Sequence, residues 1–342
     1  MTDNSRDINI QLQESVGAMY GKISKLGSNF FKMITDPTAS INGGGDVKTF
    51  DGQVAGHGGI LQLPNGSLIK GSNDVELAFY KVVKDYNLPL KKFMPECYNF
   101  DPSFKQIEEQ YLAGKEGPFI NMQNLLLPYH NPNVIDIKLG TRLYDDNADE
   151  AKKQKMITLA NNTTSSATGI QISALQVFDK PEQKIKKIGK TYGKMLTVEN
   201  LPHALLRFFY NITEPVYKNS IYSNEDELDK SFLNREPSNY TVGFFKSILA
   251  QIYELRDAAY NSHARIYGSS LCIIYETIEV AREVERRCQN PEAYVYPFSL
   301  HLIDFAHSTL VDPSLGEDQS LMTGLNNLIV IIENYLRTFN KI

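Results

Sequence analysis

The chain has 342 residues, 42% of them apolar and 22% charged, with 17 Phe and 19 Tyr spread along its length. That is enough for two structural units, or one large domain divided by a cleft, and the apolar content excludes a mainly disordered chain. A net charge of −5 excludes the general basicity that draws a protein directly to nucleic acid, so any polyanion has to be met by local lysines.

Two lysine clusters stand out: Lys152, Lys153 and Lys155, then Lys184, Lys186, Lys187, Lys190 and Lys194. Runs of this kind ordinarily form solvated faces. Cys97, Cys272 and Cys288 are scattered and lack the close pairs of a zinc site or disulfide framework, so they read as reduced, packed thiols. No charged segment followed by an apolar run opens the sequence. The longest apolar stretches, such as Leu328–Ile332, fall well short of the roughly 20 residues of a membrane span. An intracellular protein without a membrane span is expected.

In chain order, residues 1–50 are polar, carry Gly43-Gly44-Gly45 and show little periodicity beyond a short helix within Val16–Met33; they read as a loosely held arm. Ile60-Leu61-Gln62-Leu63, Pro64-Asn65-Gly66 and Ser67-Leu68-Ile69-Lys70 spell strand, turn, strand. Asn73 with Glu76 three positions on predicts an N-cap and capping box for a helix whose apolar residues are Val75, Leu77, Phe79, Val82 and Val83. Phe119–Leu127 reads as extended. In Val134-Ile135-Asp136-Ile137-Lys138 the alternation puts the acid and the base on one side of a strand. A short basic helix is expected over about 148–160, a strand over Gly169–Phe178, and an amphipathic helix over Leu201–Ile212. Val242–Ile266 is the longest helical pattern, followed by strands at Ser270–Tyr275 and Ser299–Ile303 and a last helix over Leu321–Phe339. Weak order is expected around 214–240 and 312–320.

Moving a phosphoryl group requires cations on the nucleotide phosphates, a carboxylate for a metal ion, and an aligned acceptor hydroxyl. Asp136 and Lys138 put a carboxylate and an ammonium on one pocket's width of strand, although a surface ion pair has the same spacing. The sequence Pro132-x-x-x-Asp136-x-Lys138-x-Gly140 resembles the signature of the inositol polyphosphate kinase family. Gly268-Ser269-Ser270-Leu271 with Tyr275-Glu276, and Ile303-Asp304-Phe305-Ala306-His307-Ser308, resemble two further family motifs in the same order. Gly56-His57 through Lys70, Glu76 to Tyr80, Met94-Pro95 and Tyr192-Gly193-Lys194 extend the likeness from about residue 55 to the C-terminus. The short interval from Asp145 to Gly169, where the family builds its substrate lip, resembles the multikinase branch, fungal members above all. The hexakisphosphate kinases share a short lip and are the alternative.

The resemblance implies a two-lobed α+β kinase-like fold, with an antiparallel N-lobe over 51–121 and a larger C-lobe over 122–342. It implies ATP and Mg2+ as cofactors and inositol trisphosphate and tetrakisphosphate as substrates, with pyrophosphate formation from the hexakisphosphate as the alternative. Lys70 would lie over the nucleotide phosphates. Glu76 would orient it, although the capping box explains a glutamate there equally well. Met122, Gln123 and Leu125 would supply hinge backbone to adenine, with Gln123 standing where an acid is usual. Asp136 would take the proton of the attacking hydroxyl or hold the ribose, Lys138 would meet the transferred phosphate, and Asp304 would hold the metal. His307, Lys152, Lys155 and Lys194 would meet substrate phosphates, while Ser269 and Ser270 would shape the pocket. The rest of the second lysine cluster reads as a solvated face. A role in a transcription-factor complex, and residence in nucleus and cytoplasm, also follow from the resemblance, the arm at 1–50 being a candidate docking segment.

Overall fold

The structure, a computed structural model, describes residues 47–53, 59–179, 183–213, 236–277 and 296–342. The expected helix in Val16–Met33, the Gly56-His57 pair and Cys288 lie outside them.

Strands β1 (Lys48–Thr49), β2 (Ile60–Gln62), β3 (Leu68–Gly71) and β4 (Phe119–Met122) form an antiparallel sheet in sequence order. The expected hairpin is there: Gly66, at φ +85, supplies the turn, and Asn65 accepts from the Ser67 amide at 3.0 Å. Helix α1 (Asp74–Asp85) starts where Asn73 accepts the Glu76 amide at 2.8 Å. The reciprocal half of the capping box does not form, because the Glu76 carboxylate turns inward. Its buried face is Glu76, Phe79, Tyr80 and Val83, at i, i+3, i+4 and i+7, which leaves Val75 exposed against expectation. A 3-10 turn (Pro89–Phe93) and a short helix α2 (Phe104–Ile107) lead to β4.

The larger antiparallel sheet runs β10-β9-β5-β6-β7, built from β5 (Asn133–Leu139), β6 (Ile170–Asp179), β7 (Lys184–Ile188), β9 (Ser270–Tyr275) and β10 (Phe298–Ile303). Every residue of β9 is buried, as befits a central strand covered on both faces. β7 carries Lys184, Lys186 and Lys187 of the second lysine cluster, and its mostly exposed side chains agree with the reading of a solvated face. Its charges suit an edge strand, where they discourage further pairing. Lys186 pairs with Asp179, and Lys187 donates to the carbonyls of Asp51 and Gln53.

The remaining helices are α3 (Glu150–Asn161), α4 (Ser165–Thr168), α5 (Lys190–Met195), α6 (Leu201–Thr213), α7 (Asn239–Asn261) and α8 (Gln319–Thr338). α7 stops short of the expected Ile266: His263 takes a left-handed φ of 48°, and Ala264–Ile266 become β8, paired with β11 (Ser308–Leu310). Alternation of Ala264 and Ile266 about Arg265 is the strand signal that the helical reading overran. Residues 312–320 are held firmly, also against expectation. Arg265 donates to the carbonyls of Leu315 and Gly316, and Asp318 caps α8 and accepts from the Ile266 amide.

One core joins Phe79, Tyr80, Leu90 and Phe93 to Ile135, Ile137, Leu271, Ile273, Leu325 and Ile332. At its heart Phe209, Phe244, Phe245 and Tyr275 meet largely edge to face, with centroids 5.6 to 6.5 Å apart. Burying each such ring contributes about 1.5–3 kcal/mol. Cys97 and Cys272 are buried free thiols. Among the described residues no helix is long and apolar enough to cross a membrane.

Candidate active site

A cleft of about 880 Å³ opens between the two sheets, lined by Lys70, Glu76, Met122, Gln123, Leu125, Asp136, Lys138, Lys190, Lys194 and Asp304 among others. That volume suits a nucleotide-sized ligand.

Lys70 sits on β3 opposite Ile60 and Ile120, and its ammonium lies 2.7 Å from Asp304 and 3.1 Å from Glu76. Burial pulls its pKa down, but the two carboxylates outweigh burial and hold it above the ordinary lysine value. Glu76 is 2% exposed and fully engaged, accepting also from the Ser72 hydroxyl at 2.8 Å and the Phe305 amide at 3.3 Å. The two explanations of this glutamate thus separate: Asn73 supplies the cap, while the Glu76 carboxylate orients Lys70.

Asp304 follows β10 with φ +65, a left-handed conformation that aspartate tolerates better than most side chains. Its side chain is half exposed, with Lys70 as its ion-pair partner. It is a hard oxygen donor facing the cleft. Among the described residues no cluster of three ligating side chains exists. A divalent ion would therefore rest on Asp304 together with nucleotide oxygens, a donor set that fits magnesium, which keeps most of its other positions for water and phosphate.

Asp136 and Lys138 both line the cleft from β5. A β-bulge between Asp136 and Ile137 lets Ala174 face Asp136 and Ile172 face Ile137, so Ser173 is the extra residue, beside the carboxylate. Burial pushes Asp136 up from 3.8 to about 6, opposed by the Ser270 hydroxyl, Lys138 and Ser173, and reinforced by Asp304. Its Oδ1 is buried without a hydrogen-bond partner among the described residues, an acceptor awaiting a donor. The Lys138 ammonium is steered by the Gly268 carbonyl at 2.7 Å. Gly268, at φ +68, and the Ser269 carbonyl, which accepts from the Leu139 amide, tie the Gly-Ser-Ser motif to this strand.

At the hinge the Gln123 amide donates to the Glu96 carbonyl, and its side chain accepts from the Glu96 amide at 3.2 Å. The Gln123 carbonyl and the Leu125 amide remain without a partner among the described residues, an acceptor and donor pair suited to a purine edge. Glu276 accepts from the amides of His130, Asn131 and Thr277 at 2.6 to 2.9 Å, fixing the loop from hinge to β5.

Lys194 reaches the cleft as expected and brings Lys190 with it from one turn earlier on α5. Lys190 thus lines the cleft while remaining exposed to solvent. Gly193 lets this helix lie on β6, since a Cβ there would sit 1.7 Å from the Ile172 carbonyl. Lys152, on α3, lies beside His307, with Nζ 3.4 Å from Nε2, and His307 Nδ1 lies 2.5 Å from Asp145. Lys155 shares the helix face and is exposed, and neither it nor Lys152 nor His307 is among the residues that line the cleft. Asp145 escaped the sequence reading, because nothing in its spacing marks it out from Asp146.

The sequence profile described as inositol polyphosphate kinase matches residues 119–333. Human inositol hexakisphosphate kinase 3 is 26% identical over 298 residues, covering 80% of this chain and 66% of that protein. The inositol polyphosphate multikinase of Schizosaccharomyces pombe is 27% identical over 291 residues, covering 83% of this chain and 96% of the relative. The chain thus spans about two thirds of the former and nearly all of the latter. Among solved structures, the Saccharomyces cerevisiae inositol phosphate multikinase in complex with ADP and Mn2+ superposes with a TM-score of 0.60 at 23% identity, covering 79% of this chain and 99% of that one. This establishes a shared fold. The profile match spans more than half of the sequence and includes the strand, serine and aspartate motifs that build the cleft, and on that ground this chain belongs to the inositol polyphosphate kinase family.

Proposed function

We propose that this protein is a magnesium-dependent kinase that transfers the terminal phosphate of ATP to hydroxyls of inositol trisphosphate and tetrakisphosphate, giving tetrakis- and pentakisphosphate. The observation that carries the reading is the placement of Lys70 between Glu76 and Asp304, opposite Asp136 and Lys138 across one cleft.

Lys70 neutralises the nucleotide phosphates, and the Gln123 carbonyl and Leu125 amide hold the base. Asp304 holds the metal ion, which when bound supplies charge to the phosphate oxygens. Lys138, fixed by Gly268, meets the charge on the transferred group. As the acceptor oxygen bonds to the γ-phosphorus, the bond to ADP breaks with its electron pair leaving on ADP, and Oδ1 of Asp136 takes the hydroxyl proton. A carboxylate with a pKa of about 6 is ionised at neutral pH yet basic enough for this role. Lys190 and Lys194 offer cations to the substrate's other phosphates. The proposal also places the protein in nucleus and cytoplasm and allows a transcription-complex role, both on family resemblance alone.

The similarity to human inositol hexakisphosphate kinase 3 favours pyrophosphate formation as the second reading. Purified protein with ATP and magnesium is given inositol 1,4,5-trisphosphate or inositol hexakisphosphate, products are resolved by anion exchange, and Asp304→Asn serves as control. Conversion of the trisphosphate to tetrakis- and pentakisphosphate is expected. Turnover of the hexakisphosphate alone selects the second reading, and turnover of neither by folded protein rejects both.

A further inference from the structure

We propose that Lys187 is a positioning residue for the nucleotide: it fastens residues 50–53 across the cleft as a strap, so that part of the nucleotide's wall stands in place before the nucleotide arrives. This rests on the nucleotide-binding cleft proposed above.

In the smaller sheet β1 is the strand furthest from β4, which runs on into the hinge, and in the larger sheet β7 is an outer edge. Residues 50–53 continue from β1. The Phe50 amide donates to the Ile60 carbonyl at 2.8 Å, which holds their start on the smaller sheet. Beyond that bond the chain turns at Asp51 and Gly52 and leaves the ladder. The Lys187 ammonium, from β7, holds it there, donating to the carbonyl of Asp51 and, at 3.2 Å, to that of Gln53. Two carbonyls two positions apart thus converge on one cation.

The other side of the turn meets Leu126, beside the hinge. A Cβ on Gly52 would lie 2.5 Å from Leu126 Cδ1 and 2.3 Å from Phe50 Cζ, so the backbone packs on these side chains with no room to spare. Phe50, Gly52, Gln53 and Leu126 all line the cleft, and Lys187 does not. Four residues therefore reach from the hinge to the edge of the larger sheet, and a lysine outside the cleft ties them down. An ammonium has three donors, so it can serve both carbonyls at once. A short segment outside a ladder is otherwise among the first parts of a fold to open. If the nucleotide had to order it on arrival, the lost conformational freedom would count against binding. The tie to β7 places that cost in the folded protein, and Lys187 acts on the nucleotide only through the strap.

The test is calorimetry with ADP, which needs no turnover. Lys187→Met keeps the apolar stem and removes the donors; it is expected to weaken ADP binding about fivefold, the value of one hydrogen bond at an exposed site. Lys187→Arg, which can still donate to both carbonyls, should recover most of the loss. Gly52→Ala forces the strap off Leu126 and should weaken ADP as well, and combined with Lys187→Met it should be no worse than the more damaging of the two alone. In steady-state kinetics the KM for ATP should rise in Lys187→Met, with that for inositol 1,4,5-trisphosphate unchanged. Unchanged ADP affinity in Lys187→Met, or an effect confined to the inositol phosphate, overturns the proposal. Losses that multiply in the double variant refute it too, since the lysine would then act by its charge and not through the strap.

Hydrogen exchange of the ligand-free protein reads the strap directly. The peptide covering residues 47–53 should exchange faster in Lys187→Met than in wild type, and at the wild-type rate in Lys187→Arg. Equal exchange in all three overturns the tie. Wild-type protein that binds no ADP would reject the nucleotide reading of the cleft, while the exchange rates would still decide whether Lys187 holds the strap.

Discussion

Asp136→Asn should separate the stability of this fold from its chemistry. The carboxylate is 6% exposed, its Oδ1 is unbonded among the described residues, and burial raises its pKa from 3.8 to about 6. A rise of about 2 units, at 1.36 kcal/mol each, means that keeping the group ionised costs the folded state about 3 kcal/mol at neutral pH. Between pH 3.8 and about 6 the folded chain binds a proton that the unfolded chain has released, so this residue's contribution to stability falls as the pH rises through that window and is then level. Asparagine has no such dependence. Urea unfolding of both proteins at pH 4, 5.5 and 7.5 should show the stability of Asp136→Asn relative to wild type increasing by about 2 kcal/mol from the lowest to the highest pH, the rest of the change falling below pH 4. Steric effects of the substitution are the same at every pH and cancel in this comparison. Kinase activity should be abolished in the variant, and in the wild type should fall on the acid side with a midpoint near the same pH. A stability difference that does not change with pH would refute the argument from burial.

Glu276→Ala leaves the amides of His130, Asn131 and Thr277 without their acceptor; a loss of about 2–4 kcal/mol is expected in urea unfolding, with Glu276→Gln losing less. Gly193→Ala drives a methyl group into the Ile172 carbonyl. It should cost about 3 kcal/mol or displace α5, read as a lower Tm together with a higher KM for the inositol phosphate. Lys190→Ala should raise that KM about tenfold while leaving the KM for ATP unchanged, in steady-state kinetics.

The elements with a strong local period were legible in the sequence. The hairpin with Gly66, the helix capped by Asn73, the D-x-K strand and the apolar run of β9 all lie within a few residues of where their patterns place them. Boundaries set by backbone conformation were not: the end of α7 depends on a left-handed His263, and helical periodicity carries no information about that. β7 was hidden because its lysines read as solvent-facing charge, whereas the ladder to β6 is what orders them. In the site, single residues with an obvious chemical task were visible. What depended on partners far away in sequence was hidden: the Glu76 contact with Phe305 spans 229 positions, and that of Lys152 with His307 spans 155. Asp145 and Lys190 entered only when the fold brought their neighbours together.

The helix α1 that carries Glu76 belongs by sequence to the first sheet, yet its anchors lie elsewhere. Phe79 stacks on Phe305 at 5.2 Å, Tyr80 meets the same ring edge-on at 5.3 Å, and Asn73 donates to the Ala306 carbonyl at 3.2 Å. These contacts tie the helix to the larger lobe. Kinases regulated by swinging such a helix outward break the ion pair of their nucleotide lysine to switch themselves off. Here that movement would open the aromatic contacts that Phe79 and Tyr80 share with Phe305.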